Sequence, residues 1–424
     1  MKEKYKFAVQ TSICLLAAVI SGFVLLIMAY SLPTQRMRQN VAVSSEQVSS
    51  EGGYYQWANG YKNAQSDTYT DASLILNAIY PGSGNVVKDA MNAPRILYGD
   101  DNNEDSVVLA AREEPRETHE VNYGRYWHGS LIFLKPLLLF FDLADIRMMS
   151  MILQMGLLFL VIAEMVKRKL EKPLLGFFTA VILLNPISMV MCFCFSVEYM
   201  LMLAVTWFML HYHEKLMEGY RYYFYFLING ILFVYFNELS FPMIGFAIPL
   251  IFYLLLSEEG AAEKIRKEIG YGIMWVLGYV ALWMGKWILA WIFTGFNYFG
   301  EALQQAGRYT SDHATWETEN PSVVDRLMKN INVYLKWPYA LLVLAIVAVL
   351  AVYVIRRRNH ISKENIRQML PYFLVTLLPF AILIALGNGY SYVHYWFTHR
   401  LFAISGFAGV CMILQLAKKE NETL

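Results

Sequence analysis

Residues 7–32 read FAVQTSICLLAAVISGFVLLIMAYSL, an apolar run that contains no formally charged residue. A run of about 25 such residues is long enough for a helix to cross a bilayer with some tilt, and it is longer than the apolar core of a cleaved signal peptide. Similar runs recur along the chain, which is 57% hydrophobic and 16% charged, whereas soluble domains carry about 25% charged residues. We therefore predict an all-α polytopic membrane protein, with residues 1–424 forming a single integral membrane domain that begins with an uncleaved anchor.

The basic residues predict how the chain is threaded. Cytoplasmic loops of membrane proteins carry an excess of lysine and arginine close to the ends of the spans. With about ten transmembrane helices, all basic clusters next to span ends fall on one side, and both termini are cytoplasmic. These clusters are Lys2/Lys4/Lys6, Lys167–Lys169, Lys264/Arg266/Lys267, Arg356–Arg358 and Lys418/Lys419.

Two long polar segments are then extracytoplasmic. The first loop, residues 31–129, follows the first span, and a second loop covers residues 294–332. In the first loop, apolar residues at helical spacing predict a helix over Asp71–Tyr80 with Thr70 as its N-cap. The apolar segment Ser130–Asp142, which Lys135 and Pro136 interrupt, is typical of an interfacial helix. We predict that this loop and its short interfacial helices carry the chemistry.

Several classes of function have no support in the sequence. The formal net charge is +1, which gives no basis for nucleic-acid binding. The four cysteines all fall in predicted spans, and the Cys192/Cys194 pair lacks the further cysteine or histidine of a typical zinc site. We interpret them as packing residues and predict no metal site. Motifs for nucleotide, dinucleotide or zinc-protease chemistry are also missing from the sequence.

Asp67 and Asp71 are the first candidate site residues. They lie one helical turn apart at the start of the predicted loop helix, so their carboxylates can face the same way. Helix capping and complementation of the helix dipole are an equally good explanation for aspartates at this position.

Three further candidates lie next to or inside spans. Glu198 and Glu238 each occupy a short outer turn with apolar sequence on both sides, where a carboxylate is costly unless it is paired or lines a wet cavity. Lys286 lies inside the seventh predicted span. We expect its ammonium group to face a cavity and to pair with a carboxylate or a ligand phosphate.

The remaining candidates come from the outer segments late in the chain and from the end of the first loop. Arg308 in the second loop and Arg400 at the top of the last span are candidate phosphate contacts. His128, His394 and His399 are compatible with a shared metal, although their spacing does not require one. The sequence requires no cofactor, although it is compatible with binding of a divalent cation. An interfacial aromatic belt also explains the stretch around His394.

The order of these features resembles the GT-C superfamily of membrane glycosyltransferases, which use polyprenyl-phosphate sugars. The resemblance is carried by the long first outer loop, by His128–Arg147 leading into the second span, by the Pro186 to Tyr199 turn and by the late loop Thr294–Asn332. It implies transfer of sugar from a polyprenyl-phosphate donor to a glycan, lipid or protein acceptor, at the outer face of a bacterial plasma membrane. Asp67 or Asp71 would be the catalytic base. Lys286, Arg308 and Arg400 would contact phosphate, and membrane lipids would surround the chain.

Two other classes remain open from the sequence. One is a transporter or flippase of lipid-linked saccharide, which would line a transmembrane cavity with several charges, whereas intramembrane charge here is almost limited to Lys286. The other is an O-antigen-polymerase-like ligase, which would place its large loop late in the chain.

Overall fold

The computed structural model describes residues 2–99, 102–313 and 320–419, so part of the predicted second loop (residues 314–319) lies outside the described residues. The described chain is nearly all helical. Its single two-stranded sheet pairs β1 (Pro94–Tyr98) with β2 (Thr118–Asn122) in antiparallel register, with Arg95 opposite Val121. The all-α prediction needs this correction. Both strands belong to the first loop and lie on either side of the helix Asn103–Arg112.

The first half of the chain contains one long helix, a compact set of short elements and the second long helix. In order they are α1 (Lys2–Tyr30), α2 (Gln35–Glu51), a 3-10 turn (Lys62–Ala64), α3 (Thr68–Ala78), α4 (Val86–Asn92), β1, α5 (Asn103–Arg112), β2, α6 (Leu131–Leu138) and α7 (Leu143–Lys167). The predicted loop helix is present, but it begins earlier than expected. Its N-cap is Asp67 and not Thr70.

The rest of the chain continues the bundle. Its elements are α8 (Leu174–Leu184), α9 (Pro186–Met191), α10 (Phe193–His211), α11 (His213–Leu216), α12 (Arg221–Phe236), α13 (Met243–Leu256), α14 (Ala261–Thr294), α15 (Tyr298–Tyr309), α16 (Val323–Ile331), α17 (Tyr339–Arg357), a 3-10 turn (Arg358–His360), α18 (Lys363–Ala385), a π-helical turn (Asn388–Tyr392), α19 (Tyr395–Thr398), a 3-10 turn (His399–Leu401) and α20 (Phe402–Leu416).

Seven helical segments in the described chain are long and apolar enough to cross a membrane. They are Glu3–Tyr30, Leu143–Lys167, Phe193–His211, Ala261–Thr294, Tyr339–His360, Lys363–Ala385 and Tyr395–Leu416. The other three predicted crossings correspond to the shorter helices α8, α12 and α13, which have 11, 16 and 14 residues. The predicted third span is in fact broken. Asn185 adopts a left-handed backbone (φ 62°) and caps α9, because Pro186 has no N–H with which to continue α8.

The outer surface of the bundle is apolar, as expected for helices that face lipid. Large aliphatic side chains are exposed along α1 and α14, and no residue of α17, all of which the structure describes, is buried. The first loop does not stand apart from this bundle. Its α4 packs against α1 and α14, and its α3 packs against α6 and α10. This docking brings the loop's polar side chains onto the ends of the long helices.

Candidate functional site

Asp67 lies where the first loop meets the bundle, as the N-cap of α3. Its Oδ1 accepts the backbone N–H of Thr70 at 3.1 Å, and the side chain is buried. Burial, together with the charges of Asp71 and Glu238, raises the pKa of this carboxyl from 3.8 to about 7. A carboxyl group with a pKa near 7 can accept and release protons at physiological pH, which suits a general base.

Asp71 has a different environment, although it lies only one turn further along α3. Its Oδ2 accepts the N–H of Phe193 at 2.7 Å, and its Oδ1 accepts the N–H of Cys194 at 2.9 Å. These N–H groups at the start of α10 have no partner within the helix, so Asp71, from the first loop, caps α10. Burial raises its pKa to about 6, against the lowering effect of the two N–H groups. The contacts support a structural role for Asp71.

Glu238 and His128 form a buried pair close to Asp67. His128 Nε2 lies 2.9 Å from the backbone carbonyl of Tyr123, and Nδ1 lies 2.7 Å from Glu238 Oε1. Because a carbonyl only accepts, Nε2 must carry a proton, and the contact between Nδ1 and Oε1 needs one more proton on either atom. Glu238 Oε2 is buried and has no hydrogen-bond partner among the described residues. A buried carboxylate oxygen without a partner indicates a place for a ligand group.

The backbone around this pair is strained. His128 has φ 52°, and Leu239, which follows Glu238, has φ 71°. Residues other than glycine rarely adopt such φ values. Where they do, they cluster at functional sites, and contacts with the surrounding structure hold the strained backbone in place. Tyr390 supplies part of that support by donating its hydroxyl to the carbonyls of Leu239 and, at 3.0 Å, Ser240.

Glu198 belongs to the same region. Its Oε2 accepts the N–H of Phe241 at 3.3 Å, which ties the start of α10 to the turn that contains Glu238. Its Oε1 is buried without a partner in the described chain. Glu198 and Glu238, which were separate candidates in the sequence, therefore meet around one turn, residues 237–241. The charge of Glu238 also acts on Asp67.

Two arginines that the sequence analysis did not single out face this region. The Arg95 and Arg125 guanidinium groups lie 5.2 Å and 4.5 Å from the centre of the Tyr123 ring. Arg95 Nε and Nη1 and Arg125 Nε are buried and have no partner among the described residues, while Arg125 Nη1 pairs with Glu301 at 2.6 Å. Guanidinium groups with unused donors are suited to bind phosphate. In the sequence they look like ordinary loop arginines, because only the β1–β2 pairing buries Arg95.

His394 lies beside this region in an aromatic cluster. Its ring centre is 5.6 Å from that of Tyr390 and 6.0 Å from that of Tyr309 on α15, and burial lowers its pKa to about 4. A neutral imidazole among aromatic rings fits the apolar part of a ligand. The three histidines do not share a metal within the described chain: His128 pairs with Glu238, and His399 Nε2 lies 3.0 Å from Asn63 Oδ1.

Lys286 is fully buried, but its partner differs from the prediction. Its ammonium group donates to the carbonyl of Ala90, in the last turn of α4, at 2.9 Å, and it lies 5.7 Å from the centre of the Trp127 ring. Lys135 makes the equivalent contact with Ala78, the last residue of α3, at 2.6 Å. Both lysines thus satisfy carbonyls at the negative ends of loop helices. No carboxylate contacts Lys286 in the part of the chain that the structure describes.

Arg400 also binds backbone and not an open cavity. Its guanidinium donates to the carbonyls of Trp396, Gln65 and Asn63 at 2.6, 2.9 and 3.0 Å, and to that of Leu184 at 3.3 Å. These contacts tie the 3-10 turn of the first loop to α8 and to the last helix. Arg308, in contrast, is exposed on α15. Within the described residues, neither guanidinium group makes a hydrogen bond or ion pair with Asp67, Glu198 or Glu238.

We expect replacement of Arg400 by methionine to destabilise the protein by at least about 3 kcal/mol, since four buried carbonyls would lose a charged donor. Arg400→Lys should recover little of the lost stability, because one ammonium group cannot reproduce the forked set of N–H donors of a guanidinium group. Thermal melting in detergent measures the change, and Arg308→Met is the matched control that should melt like the wild type. Normal melting of Arg400→Met, combined with weakened binding of a phosphate ligand, would return Arg400 to the predicted phosphate-binding role.

Comparison of the chain with models of known protein families, with curated proteins and with solved structures gives no match. The site must therefore be interpreted from its chemistry. It combines buried carboxyl groups with unused oxygens, a histidine held by one of them, two arginines with unused donors, and aromatic surfaces.

Proposed function

We propose that this chain is a membrane glycosyltransferase of the GT-C type, which moves a sugar from a polyprenyl-phosphate donor to an acceptor on the extracytoplasmic face. The observation that carries the proposal is a series of contacts where the first loop meets the helix ends. Arg95 and Arg125 lie against the Tyr123 ring, and the Tyr123 carbonyl contacts His128, which pairs with Glu238. The charge of Glu238 in turn acts on Asp67, and Glu198 accepts an N–H from the turn that follows Glu238. Sugar transfer from a lipid phosphate needs a base for the acceptor and cations for the leaving group, and both are present there.

In this proposal the acceptor hydroxyl attacks the anomeric carbon of the donor sugar. Its oxygen forms the new glycosidic bond while its proton passes to Asp67. The bond from the anomeric carbon to the phosphate oxygen breaks, and the electron pair stays on the phosphate, which Arg95 and Arg125 stabilise. Glu238 and Glu198 use their free oxygens to orient sugar or acceptor hydroxyls. Asp71 is not the base in this proposal, because both of its carboxylate oxygens accept N–H groups at the start of α10.

The membrane arrangement forms part of the same proposal. About ten crossings, with α8, α12 and α13 as short ones, place both termini in the cytoplasm and residues 31–129 and 294–332 outside. A polyprenyl chain then reaches the site from the outer leaflet of a bacterial plasma membrane. The exposed aliphatic surface of the bundle is compatible with this route.

The direct test is release of polyprenyl phosphate from a panel of polyprenyl-phosphate hexoses by purified protein in lipid nanodiscs, with cell-envelope glycans and lipids as acceptors. Glu238→Gln should reduce release at least about 100-fold, as expected for loss of a group that positions a reactant in a general-base reaction. Glu114→Gln, an exposed carboxylate of the same loop, is the matched control and should leave release unchanged. Transbilayer movement of intact donor without release would instead establish a flippase.

The pH profile gives a second, independent test. Asp67 acts as a base only when it is ionised, and burial raises its pKa to about 7. The turnover rate should therefore rise with pH and level off above about pH 8. A rate that is flat between pH 5 and 8 would exclude Asp67 as the base.

A further inference from the structure

Two cysteines and an aspartate meet at the start of α10. Cys192 is the N-cap of this helix and Cys194 its second residue, and both side chains are buried. Their Sγ atoms are 3.2 Å apart, and Cys192 Sγ lies 3.7 Å from Asp71 Oδ1. The ligand atoms of all three residues lie within 4.8 Å of one another. The sequence could not show this, because Asp71 comes from the outer loop more than a hundred positions earlier.

These separations approach those of a tetrahedral zinc site. With Zn–S bonds of about 2.3 Å and Zn–O bonds of about 2.0 Å, tetrahedral geometry puts two sulfurs about 3.8 Å apart and a sulfur and an oxygen about 3.5 Å apart. The observed sulfur–sulfur distance therefore has to open by about 0.6 Å, which small rotations of the two cysteine side chains provide. The distance from Cys192 Sγ to Asp71 Oδ1 already fits.

The ligands are held in place by the surrounding backbone. Each oxygen of Asp71 accepts one N–H from the start of α10, at 2.7 and 2.9 Å. A carboxylate offers about four lone-pair positions, so each oxygen keeps one for a cation. The same N–H groups fix the orientation of the carboxylate, as the outer partners of metal ligands usually do.

Charge and access also fit a divalent cation. A carboxylate, two thiolates and a doubly charged ion sum to one net negative charge, and the guanidinium of Arg147 lies nearby in the wall of the same pocket as Asp71. Glu51 holds Arg147 in a bidentate pair with two 2.6 Å contacts, which fixes its position. The same pocket is also lined by Phe193, the residue between the two cysteines, so it reaches the edge of the cluster at Asp71.

We propose that Asp71, Cys192 and Cys194 bind a zinc ion, with a water molecule from the adjoining pocket as the fourth ligand. Binding converts both thiols to thiolates and releases their two protons to solvent. The ion joins α3 of the outer loop to the start of α10 and so has a structural role. This site adjoins the proposed transfer site, since Cys192 Sγ lies 3.7 Å from the backbone carbonyl oxygen of Asp67, but it does not depend on the proposed function.

Metal content tests the proposal directly. Protein isolated from zinc-containing medium without chelator should contain one zinc per chain by elemental analysis. Cys192→Ser and Cys194→Ser should each lower occupancy at least tenfold, whereas Cys411→Ser, which changes a buried cysteine in α20, should leave it unchanged. Cobalt replacement in the wild type should produce a thiolate-to-metal charge-transfer band that both serine variants lose.

Two results would overturn the proposal. One is a Cys192–Cys194 disulfide in protein isolated without reductant. The other is a pair of alkylatable thiols in zinc-free protein that takes up no zinc when the ion is added. If the serine variants do not fold, chelation and re-addition of zinc to the wild type decides the question through its melting temperature. Loss of sugar transfer in protein that keeps its zinc would count only against the proposed function.

Discussion

Asp67→Asn is expected to melt at a higher temperature than the wild type at pH 8 and to lose sugar transfer. The asparagine keeps the N-cap, because its side-chain oxygen can still accept the Thr70 N–H. It removes a buried charge, since the pKa of Asp67 rises from 3.8 in the unfolded chain to about 7 in the fold. Each pKa unit corresponds to about 1.4 kcal/mol, which gives an upper value of about 4 kcal/mol at pH 8.

The direction in which this stability difference changes with pH follows from proton binding to Asp67. Between pH 4 and 7 the folded protein holds a proton on Asp67 that the unfolded chain has released, so the wild type loses stability as the pH rises through this range. The advantage of Asp67→Asn should therefore shrink as the pH falls from 8 towards 4. Melting curves across this range, with transfer assays on the same preparations, measure both effects. Equal melting of the two proteins at pH 8 would show that Asp67 is not desolvated.

Asp71→Asn is the matched comparison, and it should gain less stability than Asp67→Asn at pH 8 and keep sugar transfer. Asparagine has one side-chain oxygen, so it can accept only one of the N–H groups of Phe193 and Cys194. Leaving the other N–H unpaired should cost about 1–3 kcal/mol. This cost offsets the stability gained by removing a carboxylate whose pKa burial raises to about 6. Transfer per folded molecule should persist. Loss of transfer in a fully folded Asp71→Asn protein would restore Asp71 as a catalytic candidate.

The second large effect is expected at Arg125. If its guanidinium holds the donor phosphate, Arg125→Met removes at least one charged hydrogen bond of about 1.5–3 kcal/mol, so the KM for donor should rise about 10- to 150-fold. Glu301→Gln should act in the opposite direction. Glu301 now pairs with Arg125 at 2.6 Å, and its neutral replacement frees the guanidinium for phosphate.

Steady-state kinetics at varied donor concentration measure both changes, and exposed Arg308→Met serves as the control. Comparing Arg125→Met with Glu301→Gln separates an effect on donor binding from an effect on folding. If the ion pair were purely structural, both variants would be destabilised and both would keep the wild-type KM. An unchanged KM in folded Arg125→Met would remove this arginine from the phosphate site.

The apolar pattern predicted most of the bundle, because hydrophobic run length reports directly on a helix in lipid. Each predicted span coincides with at least one helix, and seven of them have the length and composition to cross. The break at Asn185–Pro186 was missed, since a proline within an apolar run also occurs inside intact helices, as Pro379 does in α18. The β1–β2 sheet was missed because its strands have only five residues each.

The candidate site was harder to predict, because burial alone does not identify the partner of a side chain. Depth in an apolar run correctly predicted that Lys286 is buried, but the nearest acceptor is the end of a helix from another part of the chain. The same is true of Arg400. Glu198 and Glu238 come together because Glu198 bonds the turn that follows Glu238, and Arg95 faces the same region only after β1 and β2 have paired. Such contacts are long-range and leave no local periodic signal.

The lysine caps on the loop helices have a consequence for biogenesis. Ala90 and the ammonium group that completes its helix end are 196 positions apart in the chain. In the proposed topology the first loop leaves the membrane early in synthesis, yet the Ala90 carbonyl lacks its lysine donor until α14 has been inserted. A ribosome-bound nascent chain that stops before α14 should therefore expose a protease-sensitive outer segment, and the same segment should become resistant once synthesis has passed Lys286.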